Sequence, residues 1–250
     1  MSALLEVSDL NKHFGGLHAV RNVSFSIASA EIVGILGPNG AGKTTLYNLL
    51  TGFIRPDSGS IVFNGRSLRG LAPYRIAGLG ISRTFQLCRP FAGMTVFENV
   101  IVGGLGGRGG GSDLDARARA LLEQVGLSGK EQLQVEALSY GDQRRLEIAR
   151  ALAAKPTLLL LDEPFAGLGN GEIADLSALM RSVHAEQGLT VMLIEHKLHE
   201  FMRLVGRVIA LDFGEVIAEG TPEEIVRHPA VIEAYIGRSD EQAEERTDAA

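Results

Sequence analysis

The segment GPNGAGKTT, residues 37–45, constrains the fold of this 250-residue chain more than any other feature of its sequence. It directly follows the apolar run EIVGIL over 31–36 and directly precedes a helix-like segment, so it fits the pattern G-x-x-x-x-G-K-[ST] in a strand-loop-helix setting. A chance match somewhere in a chain of this composition has a probability on the order of 1%. The segment therefore predicts a loop that binds the phosphates of a nucleotide.

Each residue type in this loop has a physical reason to be there. Gly37, Gly40 and Gly42 allow backbone amides to turn toward phosphate oxygens without a Cβ in the way, and the following helix N-terminus adds a favourable dipole. We expect Lys43 to reach the β- and γ-phosphates and the Thr44 hydroxyl to ligate Mg²⁺. The other loop residues expected to contact the nucleotide are Asn39, Ala41 and Thr45.

A second motif, LLLLDEP over 158–164, places two adjacent carboxylates after an apolar run without polar alternation. Such a run is typical of a central strand buried on both faces, and ligands of open α/β sheets bind at the carboxyl ends of strands. We expect Asp162 to hold Mg²⁺, directly or through water, and Glu163 to orient and deprotonate the attacking water. Together the two motifs predict an NTPase, and they leave GTPases, kinases, helicases and transport ATPases open.

A third feature is the segment LSYGDQRRLEIARAL over 138–152, in which Ser139 is a candidate helix N-cap and Gly141 follows it. The chain thus has two helix N-termini suited to anions, whereas one nucleotide has a single triphosphate tail. We infer that the second one serves a nucleotide held by another subunit. An ordinary capped helix is the alternative at this point.

Short apolar strands alternate with helical stretches, which predicts an α/β fold with a parallel sheet covered by helices. The predicted strands include 31–36, 158–161 and 190–194. Residues 171–186 are predicted to form an amphipathic helix that ends at Gly188.

Two segments stand apart from this pattern. Seven of the nine residues over 103–111 are glycine, which favours a flexible surface loop inside the domain. The stretch 238–250 has five acidic and two basic residues and no large apolar one, which favours a disordered tail. We therefore expect one domain over 1–237.

Composition excludes several functional classes. The 24 Lys and Arg residues against 30 Asp and Glu give a net charge of −6, so no overall basic field favours nucleic acid or anionic lipid. The single cysteine, Cys88, excludes an internal disulfide and a Cys-based zinc site, and we expect it to pack rather than to act as a nucleophile. No apolar run approaches about 18 residues and no leader pattern opens the chain, so we expect it neither to span a membrane nor to be exported.

With these motifs in order, the chain over residues 4–237 resembles the ATP-binding subunit of an ABC transporter. GPNGAGKTT resembles the Walker A loop, LSYGDQ the signature motif and LLLLDEP the Walker B motif. Gln86 in RTFQ resembles the Q-loop glutamine, His196 in LIEH the switch histidine, and Phe14, 29 residues before Lys43, the aromatic residue that stacks on adenine. The resemblance implies a RecA-like P-loop NTPase core with a parallel sheet, an N-terminal antiparallel β subdomain and a helical subdomain over about 88–155.

The resemblance also implies how the site works with ATP and Mg²⁺. Two such subunits pack head to tail, so that Ser139 and Gly141 contact the ATP of the other subunit. Gln86 helps bind Mg²⁺ and senses the membrane partner, His196 contacts the γ-phosphate, and Glu163 polarises water. Closure and reopening of the dimer then drive transport through a permease.

Finer features, RTFQLCRPFAGMTVFENV over 83–100 and the ending GTPEEIVRHPAVIEAYIG over 220–237, are similar to the ATPases of branched-chain, or hydrophobic, amino-acid importers. This implies a second and different ATPase subunit, transmembrane permease subunits, a periplasmic or extracellular solute-binding protein, and a peripheral place at the cytoplasmic face of the cell membrane. Nucleic acid is not an expected partner. The alternatives are an importer of another small solute such as an amide or urea, and a soluble ABC ATPase that works on ribosomes or DNA.

Some residues depart from the family pattern. Tyr140 and Asp142 replace a glycine and the glutamine of the usual signature LSGGQ, and Gly169 stands where the D-loop commonly has Asp or Asn. The glycine-rich loop is shorter than in close relatives. Arg144 and Arg145 are expected on a solvated helix face.

Overall fold

The computed structural model describes residues 3–106, 108, 110–111 and 113–235, so the tail predicted over 238–250 lies outside the described residues. Within those ranges, none of the helices combines the length and apolarity needed to cross a bilayer. In chain order the elements are β1 (Leu5–Phe14), β2 (Leu17–Ile27), β3 (Ile32–Leu36), α1 (Lys43–Leu50), β4 (Ser58–Phe63), β5 (Arg66–Ser67), α2 (Pro73–Leu79), β6 (Ile81–Arg83), α3 (Val96–Leu105), α4 (Leu114–Gln124), a 3₁₀ turn (Val135–Ala137), α5 (Tyr140–Ala153), β7 (Leu158–Asp162), α6 (Asn170–Gln187), β8 (Thr190–Ile194), α7 (Leu198–Leu204), β9 (Arg207–Asp212), β10 (Glu215–Gly220) and α8 (Pro222–Ile225).

Four strands form an antiparallel sheet in the order β2-β1-β4-β5. The long strands β1 and β2 meet at a two-residue turn, Gly15 and Gly16. Leu5, Val7 and Leu10 of β1 are buried and belong to the same hydrophobic core as α1. The expected N-terminal antiparallel β subdomain is confirmed.

The second sheet has six strands in the order β10-β9-β3-β8-β7-β6. β3 pairs in parallel with β8 and β9, β7 pairs in parallel with β6 and β8, and β10 is antiparallel to β9. Every residue of β7 is buried. Leu159 and Leu161 enter the core shared with α5 and α6, whereas Leu158 and Leu160 enter the core shared with α1. This confirms a parallel sheet covered on both faces.

The predicted elements of this sheet agree with the observed ones to within one residue at each end. The helix predicted over 171–186 begins at Asn170, because the backbone N–H of Gly169 donates to the Glu172 carboxylate at 2.9 Å and caps the first turn. It ends at Gly188, which adopts the left-handed conformation.

Between β6 and β7 the chain forms α3, α4, the 3₁₀ turn and α5, which make up the helical subdomain. The sequence predicts a flexible loop over 103–111, but Gly103 and Gly104 lie inside α3. The physical reason is packing, because a Cβ on Gly103 would lie 2.4 Å from the carbonyl oxygen of Arg150 in α5. These glycines therefore allow two helices to approach closely.

Candidate nucleotide site

The phosphate-binding loop runs from the end of β3 to the first turn of α1. Two of its glycines lie against other strands: a Cβ on Gly37 would lie 2.2 Å from the Leu211 carbonyl oxygen, and one on Gly42 would lie 2.4 Å from that of Ala19. Gly42 also has a φ of 98°, a backbone conformation that other residues rarely adopt. A side chain at either position would displace the loop from β9 or from β2.

Positive charge is concentrated where α1 begins. Lys43 is buried, and its Nζ donates to the carbonyl oxygens of Gly37 at 2.6 Å and Pro38 at 2.9 Å. In α1, which the structure describes in full, the first turn has no acidic residue and no side-chain cap. The loop thus combines a cation, backbone amides and the positive end of a helix dipole, a donor set that fits a chain of phosphates.

Three predicted side chains meet where neighbouring strands of the parallel sheet end. The Glu163 carboxylate follows β7, and its two oxygens lie 3.0 Å from His196 Nε2 and 3.1 Å from Gln86 Nε2. His196 follows β8, and Gln86 follows β6, which places them on either side of β7. The chain therefore brings a carboxylate, an imidazole and an amide together from positions up to 110 residues apart.

Glu163 occupies a strained backbone conformation. Its φ is 50°, in the left-handed region, and its backbone N–H donates to the Ile194 carbonyl oxygen at 2.9 Å. For a residue with a Cβ this conformation costs about 1–3 kcal/mol, and such strain persists only where the surrounding structure holds it. The turn directs the carboxylate toward Gln86 and His196 instead of continuing the strand.

These three residues and the phosphate-binding loop share one pocket of about 330 Å³. Phe14 lies at its edge, half-exposed, with Lys12 Nζ 5.5 Å from the centre of its ring. The residues lining the pocket are Phe14, Leu17, Ala19, Asn39, Gly40, Ala41, Gly42, Lys43, Thr44, Thr45, Gln86, Glu163 and His196. Most of the residues singled out from the sequence thus lie around a single space.

Asp162 is placed differently from the other predicted metal ligands. It is buried, and its Oδ2 accepts a hydrogen bond from Arg83 Nη2 at 2.8 Å. Thr44 and Gln86 line the pocket, whereas Asp162 does not. Hydroxyl, amide and carboxylate oxygens are ligands that Mg²⁺ accepts, so Thr44 and Gln86 fit this ion, and Asp162 fits it while also paired with a guanidinium.

Ser139 and Gly141 lie outside this pocket, at the start of α5. The Ser139 hydroxyl accepts a hydrogen bond from the Asp142 backbone N–H at 3.2 Å, which confirms the predicted N-cap. Both residues therefore lie apart from the loop of their own chain, as a site completed by a second subunit requires.

Two family models match this chain. One, described as ABC transporter, matches residues 20–166, and the other, described as branched-chain amino acid ATP-binding cassette transporter, matches residues 215–241. The chain belongs to the ABC transporter ATP-binding family. The cassette is accordingly a nucleotide-binding enzyme that hydrolyses ATP.

Relatives and solved structures agree with this assignment. The cassette is 43% identical over 251 residues to the high-affinity branched-chain amino acid transport ATP-binding protein LivG of Salmonella typhimurium strain LT2, covering 94% of this chain and 98% of the relative. The ADP conformation of an ATP-binding cassette of an ABC transporter superposes with a TM-score of 0.86 at 30% identity. The match covers 95% of this chain and all of the other. A dimeric cassette bound to ADP and Pi superposes at 0.78 with 27% identity, covering 87% and 98%.

The three residues that depart from the family pattern each form a specific contact. Asp142 forms an ion pair with Lys130 at 2.5 Å, and Gly169 caps α6 through its backbone N–H. The Tyr140 hydroxyl accepts a hydrogen bond from Arg144 Nη2 at 2.9 Å. The substituted residues thus take part in the packing of the cassette.

The prediction that Arg144 lies on a solvated helix face is wrong. Its side chain is 2% exposed, because the guanidinium donates to backbone carbonyls of the segment after β6 and pairs with Glu147 at 3.1 Å. Arg145 is partly exposed and pairs with Asp175 at 3.0 Å. Residues three apart on a helix can form an ion pair, as Arg144 and Glu147 do, but that spacing alone does not indicate burial.

Tyr235 is a further residue that the sequence motifs did not point to. Its hydroxyl accepts a hydrogen bond from the backbone N–H of Gly37 at 3.2 Å, and burial raises the pKa of this hydroxyl above its ordinary value. It lies in a helical segment over 229–235, within the part of the cassette matched by the branched-chain model. This C-terminal segment thus contacts the phosphate-binding loop directly.

Proposed function

We propose that this chain is an ATP-hydrolysing subunit of an importer for branched-chain and other hydrophobic amino acids. The observation that carries the solute class is the match of residues 215–241 to the branched-chain cassette model, in the same chain as the ABC transporter match over 20–166. The identity to LivG along nearly the full length of both chains supports it.

Binding of ATP is assigned to the pocket around the phosphate-binding loop. Backbone amides of residues 39–45 and the Lys43 ammonium hold the phosphates, and Phe14 at the pocket edge stacks on the adenine ring. Thr44, Gln86 and Asp162 would hold Mg²⁺, and the bound ion would supply positive charge that neutralises the phosphates. The Arg83 guanidinium, 2.8 Å from Asp162, pairs with that buried carboxylate and orients it.

Hydrolysis is assigned to the side chains around Glu163. The carboxylate accepts a proton from the attacking water, and the contacts to His196 at 3.0 Å and Gln86 at 3.1 Å hold it in position. His196 also contacts the γ-phosphate. The contribution of these residues is to orient water and to stabilise charge, as phosphoryl transfer requires.

Two ATPase subunits are needed for complete sites. Ser139 and Gly141 at the start of α5 complete the nucleotide site of a partner subunit. A cassette similar to this chain has been solved as a dimer with ADP and Pi, which supports a paired arrangement. We assign the partner to a different ATPase of the same importer. The pair works on transmembrane permease subunits at the cytoplasmic face of the cell membrane. A solute-binding protein delivers solute to these permease subunits, and nucleic acid is not a partner.

A groove of about 370 Å³ is the surface we assign to the permease. It lies between α2 and the helical subdomain, and the aromatic side chains on its walls are well exposed, namely Phe53, Tyr74, Phe85 and Phe91. Phe85 directly precedes Gln86, so a permease segment seated here would act on the Q-loop. This continuity with the site gives Gln86 its role as sensor of the membrane partner.

The test is affinity purification of the chain from its native membrane, with and without Mg-ATP, followed by uptake of amino acids, amides and urea into vesicles that contain the recovered complex. We expect a second ATPase, polytopic permease subunits and ATP-dependent uptake of leucine, isoleucine or valine. Recovery of ribosomes or DNA without membrane protein would refute transport. Uptake of only an amide or urea would refute the solute class.

A further inference from the structure

The segment over 85–88, which carries Gln86, is attached to α5 by two buried side chains, and the first is the guanidinium of Arg144. Arg144 Nη1 donates to the Phe85 carbonyl oxygen at 3.1 Å, and Nη2 donates to that of Gln86 at 2.5 Å. Hydrogen bonds from a charged donor contribute more than neutral ones, and this one is shielded from water. Arg144 therefore fixes the backbone at the residue whose side chain contacts Glu163.

The carboxylate of Glu147, one turn along α5, binds the same segment from its other side. One oxygen accepts from the Phe85 backbone N–H at 3.0 Å, and the other accepts from Arg144 at 3.1 Å and from Cys88 Sγ at 3.3 Å. Two opposite charges, both buried, are thus paired and also satisfied by backbone groups.

Tyr140 holds the guanidinium in its orientation. Its hydroxyl accepts from Arg144 Nε at 3.2 Å and Nη2 at 2.9 Å. The ring fills the space beside Gly167, where a Cβ would lie 2.7 Å from Tyr140 Cε1. A glycine at position 140, as in the usual signature, would provide neither the hydroxyl nor the ring.

We propose that Arg144, oriented by Tyr140 and Glu147, is a positioning residue that makes Gln86 and the signature end of α5 move as one body. A displacement of Gln86 in one nucleotide site is then passed to Ser139 and Gly141, which face the site of the partner. The inference rests on the proposed roles of Gln86 and the signature motif.

Cys88 provides a direct probe of this attachment. It is the only cysteine in the chain, and burial together with the neighbouring Glu147 raises its pKa to about 12. The thiol is therefore protonated and reacts slowly while the segment is attached to α5. Its labelling rate in nucleotide-free protein reports attachment without any reference to ATP hydrolysis.

The experiment compares the full-length Arg144→Lys, Tyr140→Phe and Arg145→Lys variants, with thermal melting to verify folding. Arg145→Lys is the matched control, since Arg145 is the adjacent arginine and pairs with Asp175 away from the segment. We expect Arg144→Lys to raise the labelling rate of Cys88 by about tenfold, Tyr140→Phe to raise it less, and the control to leave it unchanged.

The same variants, assembled with the partner ATPase, show whether attachment of the segment to α5 affects ATP hydrolysis. We expect Arg144→Lys to lower kcat for ATP about tenfold while KM changes by less than about twofold. An unchanged labelling rate in both Arg144→Lys and Tyr140→Phe overturns the proposed attachment. Faster labelling with unchanged kcat overturns the positioning role. If Arg144→Lys fails to fold, the labelling rate of Cys88 and the kcat of Tyr140→Phe decide the attachment and the positioning role in its place. Absence of uptake by the parental complex would count against the proposed function and not against this inference.

Discussion

At the residue scale, Glu163 is the position where we expect ATP hydrolysis to be lost while ATP binding is kept. We expect Glu163→Gln to keep ATP binding, because the loop and Lys43 are untouched, and to lower the hydrolysis rate by about 100-fold or more, because an amide cannot accept the proton. ATP should then trap a closed dimer. Phosphate release measures the hydrolysis rate, and sedimentation in Mg-ATP measures the dimer. Hydrolysis at the parental rate would rule out Glu163 as the base.

Lys43 is the position where we expect a substitution to abolish ATP binding itself. Its ammonium lies against the loop carbonyls of Gly37 and Pro38, so Lys43→Ala removes the cation that the phosphates need. We expect ATP binding to be abolished, as followed by equilibrium dialysis. Lys155→Ala, which alters an exposed lysine paired with Asp113, is the matched control and should bind as the parent does.

The residues of the pocket could be found from the sequence, because each belongs to a short motif beside a recognisable strand or helix. The meeting of Gln86, Glu163 and His196 follows from strand order, since the ends of neighbouring parallel strands share one edge of the sheet. Arg144 could not be found in this way. Its burial depends on carbonyls 58 and 59 residues earlier in the chain, and an arginine in a charged helix segment looks the same whether solvated or buried.

At the scale of elements, α3 and α5 approach each other through Gly103. We expect Gly103→Ala to lower the free energy of unfolding by about 1–3 kcal/mol, because the new Cβ would meet the Arg150 carbonyl oxygen, and this outweighs the gain in helix propensity of about 1 kcal/mol. Gly106→Ala, at a position with open space, should change it by less than about 0.5 kcal/mol. Urea denaturation compares the two variants, and equal stabilities would contradict the close-packing explanation.

The helical segment over 229–235 supports the phosphate-binding loop through Tyr235. Tyr235→Phe keeps the ring and removes the acceptor for the Gly37 backbone N–H. We expect a loss of about 1 kcal/mol in the free energy of unfolding and a higher KM for ATP, because the start of the loop is less fixed. An unchanged KM in coupled-enzyme assays would show that this contact serves stability alone.

Element types and bounds in the parallel sheet could be predicted, since buried strands such as β7 have no polar alternation and α6 has a glycine stop. In the glycine-rich segment over 103–111, the sequence could not show which glycines belong to a helix and which to a loop. Glycines that permit close helix packing, such as Gly103 and Gly104, have the same local composition as glycines of a loop, and only the positions of α4 and α5 distinguish them.

At the scale of the whole molecule, the proposed sharing of each nucleotide site between two subunits predicts how fast the isolated chain works. Ser139 and Gly141 lie outside the pocket of their own chain, so the isolated chain should turn over ATP slowly and should speed up when the partner ATPase is added. Steady-state rates over a range of concentrations, with sedimentation under the same conditions, measure this. Rapid turnover by a monomer would contradict a shared site.

The strand order also determines when the protein can first bind ATP during its own synthesis. β3, which leads into the phosphate-binding loop, lies between β8 and β9, and Gly37 lies against Leu211 at the end of β9. At about 5–20 residues per second, roughly 9 to 35 s pass between translation of β3 and of β9. For most of that interval the apolar β3 lacks both neighbours in the nascent chain, because β8 is translated only shortly before β9. Nucleotide can therefore stabilise the fold only near the end of translation, and the apolar strand stays incompletely paired until then.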